Sequence, residues 1–391
     1  MTASPSRSPL REIALLFLKL GTTAFGGPAA HIAMMEDEVV RRRAWLTRAQ
    51  FLDYLGATNL IPGPNSTELA IHVGHARAGW PGLVVAGVCF ILPAACIVAG
   101  IAALYVRYGA VPEAAGLLYG VKAVVIAVVA QALWALGRTA IKSRWHALVG
   151  AAAAIAVVAG LHEIAALVAA GVAMLLLYRA QGAQDAQGAQ GMGIALLQAG
   201  STAGAASVAG AAVTSGATPV GLWPLFAVFA KIGAVLFGSG YVLLAFLRAD
   251  LVERFGWLTE QQLLDAVAVG QITPGPVFTT ATFIGYMLAG PAGATVATVA
   301  IFLPAFVFVA LSGPLVPRIR RSPAAGAVLD GVNVASLALM AVVSVQLARA
   351  ALVDIPTVLL ALVAGALLIV ARINSAWLVL AGAIAGILLK Y

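Results

Sequence analysis

Two lysines stand where an apolar chain ordinarily excludes them. Lys19 and Lys231 each lie inside a long hydrophobic stretch and in the same frame, Phe17-x-Lys19-x-Gly21 and Phe229-x-Lys231-x-Gly233. A lysine at membrane depth costs roughly 2.5–3.5 kcal/mol on insertion scales, so it faces a cavity or a partner. Two at symmetric positions would make one positively charged site, suited to an anion. The plainer alternative is that each snorkels to an interface or pairs with the acid of its own repeat, Asp53 or Asp265. A third lysine, Lys122, has Asn333 as its counterpart and is under no such symmetric demand.

The second chemical feature is also duplicated. Pro62-Gly63-Pro64-Asn65-Ser66-Thr67-Glu68 is matched by Pro274-Gly275-Pro276-Val277-Phe278-Thr279-Thr280. The prolines remove backbone donors and stop one helix, and the second proline suits the first turn of the next. The new helix N-terminus exposes free N–H groups and a positive dipole end, both fit for an oxyanion. Asn65, Ser66, Thr67, Thr279 and Thr280 add polar side chains beside them. The alternative is a plain turn between surface helices.

Gly26-Gly27-Pro28 and Gly238-Ser239-Gly240 interrupt the lysine-bearing segments just past each lysine. They open backbone groups to the same cavity or permit close helix packing. Asp53, Asp265 and Glu68 are candidate proton carriers, since partly buried carboxylates exchange protons readily. Glu36, Asp37, Glu38 and Arg41 to Arg43 read as a solvated loop. His31, His72 and His75 lack the further ligands of a metal site. Cys89 and Cys96 share one apolar segment and read as packing residues, not a disulfide or zinc framework. No metal or cofactor is expected.

These residues must be positioned by membrane helices. The chain has 391 residues, of which 62% are apolar and 10% charged, with mean hydropathy +1.00. A soluble chain would carry roughly a quarter charged residues, so most of this surface faces lipid. The net charge of +8 reads as an orientation signal rather than a nucleic-acid footprint. The basic, apolar N-terminal stretch is read as a retained first helix and not as a signal peptide.

A repeat sets the architecture. Shifted by 212 residues, positions 17–64 give 17 identities in 48, including Lys19/Lys231, Trp45/Trp257, Asp53/Asp265 and both Pro-Gly-Pro turns. At a shift of 211, Leu92-Pro93-Ala94 meets Leu303-Pro304-Ala305 and Arg107 meets Arg318. The expected division is an N-terminal repeat over 1–178, a low-complexity linker over 179–222 and a C-terminal repeat over 223–391. Each half is read as a first helix (12–34; 224–246), then a re-entrant helical hairpin broken at Pro-Gly-Pro (47–61 and 65–78; 259–273 and 277–290). Four spans follow (82–106, 112–137, 146–161, 163–178; 292–316, 325–349, 356–371, 374–390). The fold class is thus an all-α integral membrane protein with about ten transmembrane helices. Five crossings per half make the repeats inverted, a plan common among secondary transporters. Arg41, Arg42, Arg43, Arg48, Arg138, Lys142 and Arg144 mark the cytoplasmic side, with both termini outside.

With these motifs assembled, the chain resembles the chromate ion transporter family, as a long-chain, two-domain member. The resemblance rests on Phe25-Gly26-Gly27-Pro28-x-x-His31, Arg43-x-Trp45-Leu46, the first Pro-Gly-Pro stretch, Gly79-Trp80-Pro81-Gly82 and Phe90-Ile91-Leu92-Pro93. In the second half it rests on the run from Ile272 to Tyr286. One departure is Glu68, where many members carry a neutral residue, often Gln. The resemblance implies chromate export from the cytoplasm, driven by membrane potential or proton gradient, and hence chromate resistance. Sulfate or another oxyanion is the alternative substrate, and a passive anion channel the alternative mode. Two ammonium groups would neutralise a tetrahedral dianion bound at the midplane between halves that alternate access. The expected partners are that oxyanion and membrane lipid, with a homodimer compatible with the reading. A membrane-embedded reductase or hydrolase is disfavoured, for the sequence holds no haem pattern, dinucleotide fingerprint or cysteine cluster.

Overall fold

Helix carries nearly every described element, and reversals within each half decide how the helices stack. The computed structural model describes residues 8–25, 27–108, 112–188, 220–237, 242–320, 322–371 and 373–390. The expected linker lies largely outside them, as do Gly26, Gly238, Ser239 and Gly240.

The first half opens with α1 (Pro9–Thr23) and α2 (Gly27–Glu36), the latter running on into a π-helical stretch, Asp37–Arg42. The expected single helix over 12–34 is instead two helices that double back. Lys19 Nζ lies 2.7 Å from Glu38 Oε1, whereas one continuous helix would separate residues 19 apart by about 28 Å. Helix α1 stops at Thr23 and α2 starts afresh at Gly27, which sits at φ +77°. The second half repeats this with α8 (Leu222–Val235), α9 (Leu243–Leu247) and the π-helical stretch Arg248–Arg254; Lys231 meets Asp250 at 2.5 Å.

Next come α3 (Arg48–Thr58) and α4 (Asn65–Tyr108), joined through Pro-Gly-Pro. Thr47 caps α3 with a capping box to Gln50, and Thr259 does the same for α10 (Glu260–Ile272) with Gln262. Such boxes satisfy two orphan backbone donors at once. Helix α4 folds back on itself at Ala78–Gly79, where Gly79 takes φ +63°, ψ −148°, a region open in practice only to glycine. Gly74 and Gly82 then meet so closely that a Cβ on either would overlap the other's backbone. Helix α11 (Thr280–Arg320), which follows a short 3₁₀ turn at Val277–Thr279, reverses identically at Ala289–Gly290, with Gly285 against Gly293.

The remaining helices are α5 (Pro112–Ala140), α6 (Arg144–Val158) and α7 (Glu163–Gly188), repeated as α12 (Pro323–Ala351), α13 (Ile355–Ile369) and α14 (Ser375–Lys390). Five described stretches are long and apolar enough to cross a membrane: 65–108, 116–140, 163–181, 277–312 and 323–351. Outward faces are apolar too, as with Leu362 and Val370 on α13 at 64% and 83% exposure.

Helices α5 and α12 pack antiparallel at the centre, and reciprocal contacts fix their sense. Tyr119, near the start of α5, donates 2.6 Å to Asp354 beyond the end of α12. Lys142, beyond the end of α5, donates 2.6 Å to Asp330 near the start of α12. Asp354 also caps α13, and the Tyr119 hydroxyl and the Thr357 backbone hold its carboxyl below the usual range.

Small residues let these helices approach. Gly120 of α5 lies against Gly382 and Gly386 of α14, and Gly331 of α12 against Ala170 and Gly171 of α7. Close backbone contact of this kind drives helix association in lipid. A Cβ on Gly120 would come within 2.8 Å of Gly386, whereas one on Gly365 meets only Ala127 Cβ at 4.0 Å. Overpacking of this kind costs about 1–3 kcal/mol or more. Gly120→Leu is therefore expected to lower the melting temperature by roughly 5 °C or more, read by size exclusion after heating, while Gly365→Leu leaves it within about 2 °C.

Candidate functional site

Both Pro-Gly-Pro turns dock onto the broken hairpin of the opposite half. Gly63 N–H donates 2.8 Å to the carbonyl of Leu236, and Gly275 N–H donates 2.9 Å to that of Ala24. Ala24 and Leu236 are equivalent residues under the 212-residue shift, and each ends the helix that carries the lysine. The turn glycines are required sterically. They sit at φ +138° and +86°, and a Cβ on Gly275 would lie 2.6 Å from Ala94 Cβ. Pro62, Pro64, Pro274 and Pro276 flank them, and α4 begins directly after Pro64.

The first junction extends into a buried polar network. His31 Nε2 lies 3.1 Å from the same Ala24 carbonyl, and its Nδ1 lies 3.3 Å from Ser66 Oγ. His31 thus ties the tip of α1 to the first turn of α4. Nothing in its sequence spacing points to this bridging place, and its counterpart in the second half is Leu243.

The expected hydroxyl donors divide. Thr279 and Thr280 give their protons to the carbonyls of Pro276 and Val277, 2.8 Å in each case, so they brace the turn instead of presenting O–H groups. Asn65 donates to Asn59 at 2.8 Å. Thr67 is fully buried, with Oγ1 unpartnered among the described residues. Glu68 is also fully buried, both carboxylate oxygens unpartnered among the described residues, and packs against Gly63.

Neither lysine pairs with the acid expected of it. Lys19 takes Glu38 and Lys231 takes Asp250, acids equivalent to each other 19 residues downstream. The sequence carries that signal as Glu in one half and Asp in the other, within a charged stretch that reads as a solvated loop. Instead Glu38 and Asp250 are buried, at 7% and 3% exposure. Arg42 and Arg43 join Glu38 at 3.7 and 3.2 Å, and Arg42 also meets Asp37. Three cations (Lys19, Arg42, Arg43) therefore face two acids (Asp37, Glu38). Arg254 reaches Asp250 at 4.0 Å, while Arg248 bridges Glu253 and Glu260.

The remaining carboxylates differ between halves. Asp265 is buried, accepting from Tyr105 at 2.7 Å and pairing with Lys122 at 2.8 Å. Asp53, its counterpart, is exposed. Lys122, given least weight of the three lysines from sequence, is the one whose pair crosses between halves. Among the described residues no group of three or more His, Cys, Asp or Glu side chains is placed to hold a metal ion.

Long apolar helices, polar backbone turned inward at paired breaks and buried carboxylates held in ion pairs define a multi-pass membrane protein. The chain belongs to the chromate transporter family, which it matches over residues 11–175 and again over 223–387. It is 36% identical over 381 residues to the chromate transport protein of Cupriavidus metallidurans, covering 96% of this chain and 91% of that one. To the chromate transport protein of Pseudomonas aeruginosa it is 32% identical, over 87% and 82% of the two chains. An uncharacterized transporter of Bacillus subtilis is 30% identical over 129 residues, 33% of this chain and 72% of that shorter one. No solved structure matches the chain. Membership places the protein among transporters rather than enzymes.

A buried carboxylate stripped of its only close cation costs about 3–5 kcal/mol. Lys231→Met, which leaves Asp250 beside the more distant Arg254, is expected to cut the yield of folded protein sharply. Lys231→Met/Asp250→Asn is expected to restore most of it, as read by monodisperse recovery in detergent.

Proposed function

We propose that the protein is a secondary transporter that exports chromate across the cytoplasmic membrane, with the oxyanion bound between the two repeats. The observation that carries this is the reciprocal docking of the Pro-Gly-Pro turns on the opposite half's broken hairpin, in a chain of the chromate transporter family. It collects non-helical backbone, helix N-termini and uncommitted polar groups (Thr67, Glu68) at one place between two halves. Secondary transporters bind their substrates at such breaks.

In this reading the repeats span the membrane in opposite senses, as the antiparallel packing of α5 and α12 supports. The hairpins α1/α2 and α3/α4 dip in and return, so the N-terminus lies on the side of Arg41 to Arg43 and Arg77; the Arg77–Glu12 pair at 3.1 Å favours this placement. Positive charge assigns that side to the cytoplasm. Doubling back of α1/α2 leaves four helices per half as crossings, and the opposite sense of the halves rests on the reciprocal Tyr119–Asp354 and Lys142–Asp330 contacts.

Lys19 and Lys231 contribute through their clusters rather than as two bare ammonium groups. The surplus cation around Glu38 raises the local concentration of a dianion, and the Pro-Gly-Pro helix N-termini receive it. Glu68 is the candidate proton carrier, buried beside the first turn, and Asp265 serves the closing of the halves. Alternating access follows as one half rocks against the other. Sulfate shares the shape and charge of chromate and is the natural competitor.

Cells of a chromate-sensitive bacterium producing this chain are expected to accumulate less chromate than empty-vector cells, and a protonophore is expected to abolish the difference. Equal accumulation, with the protein verified in the membrane, would sink the export reading. Full competition by sulfate in the same assay would reassign the substrate.

A further inference from the structure

The halves do not make equivalent contacts, and a polar cavity lies on the side of Lys142. On the side of Tyr119 and Asp354, α10 is drawn onto α5 and α12. Lys122 donates 2.7 Å to Gln261 and pairs with Asp265, Tyr105 donates to Asp265, and Gln261 donates 2.9 Å to the carbonyl of Ala350. On the side of Lys142 lies a cavity of about 390 Å³, whose lining includes Asn59, Lys142, Val242, Asp330, Asn333 and Ser336.

This cavity runs from the membrane surface toward the paired breaks. Its outer end is the Lys142–Asp330 pair, with His146 Nε2 3.5 Å from the same carboxylate. Its inner end is Asn59, which accepts from Asn65 at the start of α4, and Val242, beyond the break in the second half. Between them Asp330, Asn333 and Ser336 recur every three residues on one face of α12. Ser336 is 1% exposed and its hydroxyl has no partner among the described residues. A buried hydroxyl left unsatisfied destabilises the fold unless something visits it. Asn333 occupies the position whose counterpart, Lys122, closes the other side.

We propose that this cavity is the cytoplasmic vestibule of the oxyanion path, and that Asn333, Ser336 and Asn59 are the neutral donors handing a tetrahedral oxyanion from the Lys142 end to the Pro-Gly-Pro turns. The proposal rests on the oxyanion-transport reading above. Neutral amide and hydroxyl donors suit a transit site, because they bind an anion without holding it as a fixed ammonium would. On the other side the corresponding place is taken by the Lys122, Asp265 and Gln261 contacts.

The test is initial-rate uptake of chromate into inside-out vesicles carrying the full chain, whose outer face is the cytoplasmic one. Asn333→Asp places a like charge in the path and is expected to raise KM about tenfold or more, with maximal rate within about twofold of wild type. Ser336→Ala removes one hydroxyl without adding bulk, and KM is expected to rise about threefold. Should Asn333→Asp fail to reach the membrane, Ser336→Ala decides alone. Wild-type transport with KM unchanged in every variant that reaches the membrane overturns the vestibule. No transport by wild-type vesicles overturns the oxyanion-transport reading instead, so the two failures are told apart.

Discussion

Backbone amides buried away from water need a protein partner, and that constraint organises this molecule. A Pro-Gly-Pro turn cannot satisfy itself, for its prolines lack N–H groups and its glycine N–H points away from any helix. Each half solves the problem with a carbonyl from the other: Leu236 accepts from Gly63, and Ala24 from Gly275. Those carbonyls are free because α1 and α8 stop there. Breaks in one half and turns in the other therefore depend on each other, and neither half can complete its backbone hydrogen bonding alone.

Charge follows the same logic. Lys19 and Lys231 belong to the first arms of the broken hairpins, and folding back of the second arms supplies Glu38 and Asp250 at 2.7 and 2.5 Å. Pairing lets a lysine remain in a low-dielectric region without a large desolvation penalty. It also means that the positive field available to a substrate comes from the surrounding arginines as much as from the lysines. Between the halves, Lys122 pairs with Asp265 and Lys142 with Asp330.

Much of this was legible in sequence because duplication marks what both halves need. Matched lysines, the two Pro-Gly-Pro turns and Trp-Leu-Thr stood out by identity, and the glycine pairs that close the helix reversals recur at the same offset. What identity could not show was partnership across a reversal. Glu38 and Asp250 differ in length and were passed over, and residues 12–34 read as one span because hydropathy is blind to a change of direction. His31, Ser336 and Lys122 have no like counterpart, so symmetry pointed away from them. Thr279 and Thr280 looked like donors, yet their hydroxyls were claimed by carbonyls three residues back, a local competition common for threonine at helix starts.

The central claim is that two oppositely oriented halves share one site, and the sense of the halves is its most exposed part. Ile141 and Val353, at 45% and 65% exposure, follow the ends of the antiparallel helices α5 and α12. Each can carry a single cysteine in a chain whose own two, Cys89 and Cys96, are replaced by alanine. The account predicts that a membrane-impermeant maleimide labels Val353→Cys on intact cells and Ile141→Cys only in inside-out vesicles. Labelling of both from the same side would contradict it.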